Sequence, residues 1–435
     1  MKRLIAILLV LALLLPLTAC EQPAPPVPVP EPEAFVPKNT ENVKISYSTD
    51  LMDGITPEDV KLVENLPETG GPLADFGIAL FQSSMKPGEN SLISPLSVLY
   101  ALSMTANGAD GETLRQMESV LGMSTQELNE WLHTYQVQLS KEEYQKLFVA
   151  NGIWIKDDPN VTVEQQFLRT NADYYGAGLY QAPFDADTCE EINKWIEGKT
   201  AGMVKDVLDE IPKEAILYLV NALAFDARWA EQYKETQVQE GEFTTEAGEK
   251  RPVEMMYSSE DGWFLEDDLA TGFLKWYAGH RYAFVAMLPN EGVSVEEYVS
   301  SLSAEHLQHM IADPKSYDVV AAIPKFETEF DTEMSKVLAN MGMPAAFDAD
   351  LADFSRLGTH TDGNIYISRV LHKTFISVAE QGTRAGAATV IEAAAEAAPM
   401  ERELKKVVLD RPFAYFIIDQ VTGMPIFIGT LMDVQ

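Results

Sequence analysis

The sequence predicts an α+β protein, and three observations predict it. Runs of strand character, apolar throughout or alternating, recur at Ile216 to Phe225, Tyr282 to Pro289, Asn364 to Val378 and Phe413 to Ile418. Helical segments with recognisable ends separate them, including Ser94 to Met104, Gly111 to Gly122 and Glu191 to Thr200. The third observation is an alanine-rich stretch, Glu380 to Pro399, whose charges all fall on one set of alternate positions.

The chain has 435 residues, above the usual ceiling of about 250 to 300 residues for a single core. Hydrophobic residues make up 46% and charged residues 23%, as in an ordinary globular protein. Asp and Glu number 67 against 32 Lys and Arg, a net charge of -35. That balance argues against nucleic-acid binding, which relies on basic contacts to phosphate, and against a heparin-type basic patch. It names no partner. Cys20 and Cys189 are the two cysteines. With Cys20 claimed by the N-terminal signal described next, no internal disulfide is expected, and Cys189 reads as an inert structural thiol.

Residues 1–19 open with Lys2 and Arg3 and continue as a short apolar run from Leu4 to Leu15. This is a secretory signal rather than a membrane span, which needs about 20 apolar residues. Leu17-Thr18-Ala19-Cys20 resembles the bacterial lipobox. The resemblance implies cleavage before Cys20 and lipid on its sulfur, with the mature chain held outside the cytoplasm on the bacterial membrane or cell surface. Seven prolines follow between Glu21 and Pro37 and favour an extended spacer of roughly 3 Å per residue. Residues 20–70 are expected to be tether and 71–435 the folded domain.

Within that domain, Ser94 is placed to cap a helix with Pro95 at its first position. Neither Ser94 nor Ser97 sits in a Gly-x-Ser-x-Gly turn, so a catalytic serine is not expected. Gly122 stops the helix begun at Gly111, and Ser124 to Glu127 forms a capping box. Phe148 to Ile155 is a strand. Ile192, Trp195 and Ile196 share one helix face. Gly198-Lys199-Thr200 lacks the preceding strand and the first glycine of a phosphate-binding loop, whose place Asn193 takes. Ile216 to Phe225 reads as a strand buried on both faces, and Asn221 inside it needs hydrogen-bond partners.

Further along, Asp318 to Phe326 is expected as one strand, and Met334, Val337, Leu338 and Met341 as the buried face of a helix. Phe413 to Ile418 and Ile426 to Leu431 form a hairpin across Thr422-Gly423. His306 and His309 could share a helix face, but no third ligand accompanies them, so no metal is expected. No cofactor is expected either.

At a period of two, Thr383, Ala385, Ala387, Thr389, Ile391, Ala393 and Ala395 form one uncharged set. Arg384, Glu392 and Glu396 fall in the other, with Gly386, Ala388, Val390 and Ala394. Such a segment can become a strand with one face buried. Its alanines and glutamates suit a surface helix equally well. The approach decides between them, because a strand-like run to Val378 passes through Glu380-Gln381-Gly382-Thr383, where one glycine can act as a hinge.

The run from His372 to Thr389 resembles the strand, hinge and reactive loop of serpins, the serine protease inhibitors that trap a protease by inserting a loop into a sheet. Ile192-Asn193-x-Trp195 with Thr200 and Gly202, the Ser94 region and the C-terminal hairpin are similar to serpin segments in the same order. The resemblance covers roughly Leu73 to Gln435. It implies three β-sheets, eight or nine helices and an exposed reactive loop, with no enzymatic activity and a monomeric state. It implies that Ser94 and Ser97 lie beneath the central sheet, that Asn221 meets His372 there, and that Trp229 packs where the loop goes in. Hinge residues would be Glu380, Gly382, Thr383, Ala385, Ala387, Ala388 and Thr389.

The implied partners are serine proteases, with cysteine proteases as a further class, held covalently. Counting forward from the hinge places the reactive bond at Glu396-Ala397, with Ala395 and Met400 as alternatives. Targets would then be Glu-preferring, elastase-like or subtilisin-like; the other reading is a serpin-fold lipoprotein that binds or scaffolds without inhibiting.

Overall fold

The computed structural model describes residues 45–434 apart from 65, 67–70, 140, 141, 143, 213, 214 and 384–402. The first half of the chain runs β1 (Thr49–Asp50), α1 (Gly71–Ser84), β2 (Ser91–Ile93), α2 (Pro95–Ala106), α3 (Gly111–Leu121), α4 (Thr125–Val137), β3 (Gln145–Lys156), β4 (Val161–Val163), α5 (Gln165–Tyr175), β5 (Gly178–Ala182), α6 (Ala186–Lys199) and β6 (Leu217–Arg228). The second half begins with β7 (Val238–Thr244), β8 (Lys250–Ser259), β9 (Phe264–Glu266), β10 (Ala270–Trp276), β11 (Tyr282–Pro289), α7 (Val295–Ser301), α8 (Ala304–Ala312), β12 (Asp318–Pro324), β13 (Phe326–Glu333) and α9 (Ser335–Met341). It closes with β14 (Gly358–His360), β15 (Arg369–Ala379), β16 (Gly382–Thr383), β17 (Leu404–Val408), β18 (Phe413–Asp419) and β19 (Met424–Leu431).

Among the described residues these strands form a seven-stranded sheet ordered β1-β5-β3-β6-β16-β15-β13, a six-stranded sheet β2-β19-β18-β11-β10-β9, a four-stranded sheet β17-β12-β8-β7, and a small pair β14-β4. The three expected sheets are the large ones. The pair joins the loop before α5 to the loop after α9.

The interior follows from strands with no polar face. Every residue of β11, β18 and β19 is buried, as continuous apolar runs require. Every residue of α2 is buried too, so this helix has no solvent face and lies in the core. Its start is as the sequence reads: Ser94 is the N-cap, its hydroxyl accepts from the Ser97 amide at 3.2 Å, and Pro95 takes the first turn. A second core covers another part of the large sheet, where α6 sets Ile192, Trp195 and Ile196 against Trp154 of β3 and Tyr218 of β6. The Trp154 and Trp195 rings meet edge to face at 5.2 Å. Cys189 is buried in this cluster and its thiol donates to the Leu208 carbonyl at 3.1 Å, the inert role expected of it.

Three boundaries differ from the sequence reading. Asp318 to Phe326 is two elements in two sheets, broken after Pro324. Proline has no N–H to continue a ladder; β12 runs in the four-stranded sheet and β13 starts afresh in the seven-stranded one. Residues 364–368 are not strand, and β15 begins at Arg369. The third difference concerns the expected tether. Between residues 45 and 64 the chain lies along the domain, β1 pairing with β5 and the Glu191 carboxylate accepting the backbone N–H of Ser46, Tyr47 and Ser48 at 2.7, 2.7 and 2.9 Å. Polar side chains with little pattern hid this, because the contacts are made by the backbone. Cys20 lies outside the described residues.

Candidate functional site

β6 and β15 run parallel and should be neighbours, yet they are paired at one end alone, Arg369 with Tyr218 and Val370 with Leu219. At the other end β16 sits between them, antiparallel to both: Thr383 pairs with Val378 and Ala227, Gly382 with Ala379 and Arg228. Over Val220 to Asp226 facing Leu371 to Ser377, no ladder joins the two strands among the described residues. β3 and β13 pair with their outer edges. Among the described residues the seam between the two strands is therefore a slot bonded only at its ends, with the first two residues of a strand seated at its mouth.

Glycine at 382 is dictated by the fit. A Cβ there would stand 2.0 Å from the Ala227 carbonyl oxygen and 2.7 Å from the Arg228 Cα, distances that no side chain tolerates. Gly382→Ala is expected to push β16 out of the sheet. Hydrogen exchange should then quicken at least about tenfold from Val378 to Thr383, a cost of about 1 to 3 kcal/mol. Exchange unchanged from the parent would show the backbone yielding instead.

A clamp holds the turn leading to β16. Trp229 donates its amide to the Gln381 carbonyl at 2.9 Å and its indole Nε1 to the Ala379 carbonyl at 2.8 Å, while the Tyr233 amide donates to the Glu380 carbonyl at 3.0 Å. Trp229 stacks on Tyr277 with ring centres 4.5 Å apart, and the Tyr277 and Thr383 hydroxyls lie 2.5 Å from one another. Thr383 is 1% exposed. Lys325 ties the turn from outside, donating to Glu254 at 2.8 Å and Glu380 at 2.9 Å. Burial works against its charge, but the bonds to Glu254 and Glu380 outweigh it and hold the ammonium above its usual value.

Beneath the slot, the buried face of β15 presents His372, whose Nε2 accepts the Ser94 amide at 3.0 Å. Thr374, two residues along, donates to the Leu92 carbonyl at 2.7 Å. Ser94, Ser97 and His372 thus come together under the sheet as the resemblance implies, and all three are buried. Ser94 engages the imidazole through its backbone, so the pair is a structural strut and not a nucleophile with its base. Asn221 is in β6 opposite Asn151 of β3; its side chain falls outside the described set.

Burial lowers His372 to about 4, so the ring is neutral at pH 7 and free to accept. Its folded value lies below the usual 6.5, so this stabilisation is complete above pH 6.5 and is lost as pH falls toward 4. In full it amounts to about 3 kcal/mol. His372→Gln, which keeps an acceptor without the titration, should lower Tm at pH 7 slightly. It should also shrink the fall in Tm between pH 7 and 4.5. An equal fall in both proteins would remove His372 from the acid response.

Of the expected hinge, Glu380, Gly382 and Thr383 are seated as described. Ala385, Ala387, Ala388, Thr389 and the reactive-bond candidates Ala395, Glu396, Ala397 and Met400 lie outside the described residues. His306 and His309 do not converge: His306 Nε2 is 3.0 Å from Asp267 and His309 Nε2 is 3.9 Å from Glu305. Sequence reasoning missed Tyr233, Tyr277 and Lys325. Each acts across tens of residues, and no local pattern announces it.

This geometry defines a class, an α+β body of three large sheets whose largest holds, beside a hinge, two parallel strands bonded only at their ends. The chain matches the family model described as Serpin (serine protease inhibitor) over residues 72–434, and it belongs to the serpin family. An uncharacterized serpin-like protein of Thermococcus kodakarensis is 29% identical over 91% of this chain and 93% of its own length. Human Serpin B9 is 29% identical over 79% of this chain and 93% of its own. Among solved structures, the thermophilic serpin tengpin in its native state is 44% identical, covering 89% of this chain and 100% of that one, with a TM-score of 0.84. Tengpin in its latent state is 43% identical over 87% and 100%, with a TM-score of 0.75.

Proposed function

We propose that the protein inhibits serine proteases as a suicide substrate. The protease serine oxygen attacks the carbonyl carbon of the reactive bond, the new α-amine leaves with the proton, and an ester links loop to enzyme. The cut loop then enters the slot between β6 and β15 before water can hydrolyse that ester. The observation that carries the reading is the slot that the described residues leave without a ladder, with Gly382 and Thr383 already bonded at its mouth and no charge at the alternate positions that would follow Thr383 inward. The better match to native than to latent tengpin, with TM-scores of 0.84 and 0.75, supports the same reading.

We place the reactive bond at Glu396-Ala397, with Ala395 and Met400 as alternatives, and the targets among Glu-preferring, elastase-like and subtilisin-like proteases. Incubation with one of each, followed by a denaturing gel and mass spectrometry of the released fragment, tests this. A covalent band and a single cut after Ala395, Glu396 or Met400 are expected. Cleavage with no covalent band would favour the other reading, a serpin-fold protein that binds without inhibiting.

Anchoring through Cys20 belongs to the same proposal. Cells fed a clickable fatty acid should label the chain, and Cys20→Ser should lose the label and be released from membranes. Labelling that survives Cys20→Ser would overturn it.

A further inference from the structure

Beside the clamp lies a cavity of about 340 Å³ that loop insertion does not use. Two indoles wall it, Trp263 and Trp276, edge to face with centres 5.1 Å apart. His280 leans on Trp276 at 5.2 Å, held there by the β10–β11 turn, where it adopts φ of 54° after Gly279 at 80°. Its floor is a buried ion pair, Lys275 donating to Glu260 at 2.7 Å with side-chain exposures of 3% and 10%. Charge inside the cavity is therefore balanced at the floor and unbalanced at the rim. Glu231 and Asp261 are exposed there, Asp261 accepting only the Ser259 hydroxyl at 2.6 Å, and neither has a cationic partner among the described residues.

Aromatic faces next to uncompensated carboxylates suit an organic cation, which gains ring attraction and charge pairing together. An anion would face the rim carboxylates, and a purely apolar ligand would leave them without a role. We propose that this cavity binds an alkylammonium or alkylguanidinium group and that its occupancy tightens the clamp on the hinge.

The coupling runs through five residues. Ala230 and Glu231 line the cavity, while Trp229 and Tyr233 on either side hold the carbonyls of Gln381 and Glu380. The Ala230 amide donates to the Trp276 carbonyl at 2.9 Å, so a guest resting on Trp276 braces the same segment. From the floor, the Lys275 ammonium lies 4.6 Å from the Tyr233 ring centre and 5.6 Å from that of Trp229. A ligand that binds the folded form also raises its stability. The inference adds to the protease-trap reading without resting on it, because its measurements need no protease.

Agmatine, which carries both head groups, is the probe, titrated at constant ionic strength into the intact protein. A saturable change in tryptophan fluorescence is expected, with a rise in Tm and slowed hydrogen exchange at the Trp229 and Tyr233 amides. The double substitution Glu231→Gln and Asp261→Asn, at exposed positions that should not disturb folding, is expected to weaken binding about tenfold or more. Trp276→Phe should weaken it less. A Gly-Arg-Gly peptide run in parallel separates the sources. Binding of both marks a site open to a partner's basic side chain, and binding of agmatine alone marks one for a free amine. No saturable change, or equal affinity in the double variant, overturns the site. Binding that leaves both amides exchanging as before overturns the coupling.

Discussion

Thr383→Arg turns the protein from an inhibitor into a substrate: the protease cuts the loop, and the covalent band on a denaturing gel falls at least about tenfold. Thr383 is the first inward residue of the inserting strand, 1% exposed and 2.5 Å from the Tyr277 hydroxyl. A guanidinium there would be buried against the Trp229–Tyr277 stack without a carboxylate, at a cost of several kcal/mol. Insertion would lose its race against hydrolysis of the ester, since each 1.4 kcal/mol added to its barrier slows it about tenfold. Arg384→Glu, on the outward set, should leave the band nearly unchanged. Equal bands from Thr383→Arg and the parent would mean that the slot is not where the loop goes.

The second expected result concerns stability. Cutting the chain between Thr389 and Met400 should raise Tm steeply, on the order of 20 °C. A full strand entering the slot adds about a dozen backbone hydrogen bonds at a net 0.5 to 1.5 kcal/mol each, or on the order of 10 kcal/mol. That is comparable with the whole stability of many domains. A shift of 2 to 4 °C per kcal/mol is roughly what a domain of 150 to 250 residues shows. Scanning calorimetry of cut and uncut protein reads it directly. A cut form that melts with the parent would mean that the slot stores no such energy, and Thr383→Arg, cut at the same place, should melt close to the uncut parent.

Much of this fold is legible where local chemistry decides the outcome. The Ser94 cap with Pro95, the Ser124–Glu127 capping box and the Gly122 stop all appear in place, because each is settled by neighbours within four residues. The apolar runs of β6, β11 and β18 are equally plain. Phe326 to Glu333 alternates clearly between buried and exposed, yet the sequence reading stops its strand at Phe326 and leaves Glu327 to Glu333 unassigned, since a change of sheet at Lys325 leaves no mark in the pattern. The site divides the same way. Gly382 and Thr383 could be picked from the period of two and the hinge glycine. Tyr233, Tyr277 and Lys325 could not, because their roles come from the loop after β6, the β10–β11 turn and the junction of β12 with β13 meeting in space.

The seven-stranded sheet ends at β13, whose inner residues Phe326, Thr328 and Phe330 are buried while Glu327, Glu329 and Asp331 stand exposed between them. A border strand offers its backbone to any neighbour, and like charges along it keep a second border away. Such a molecule is receptive in its interior and repellent at its rim. Removing those charges, as in Glu327→Gln with Asp331→Asn, should let crowded copies zip together side by side.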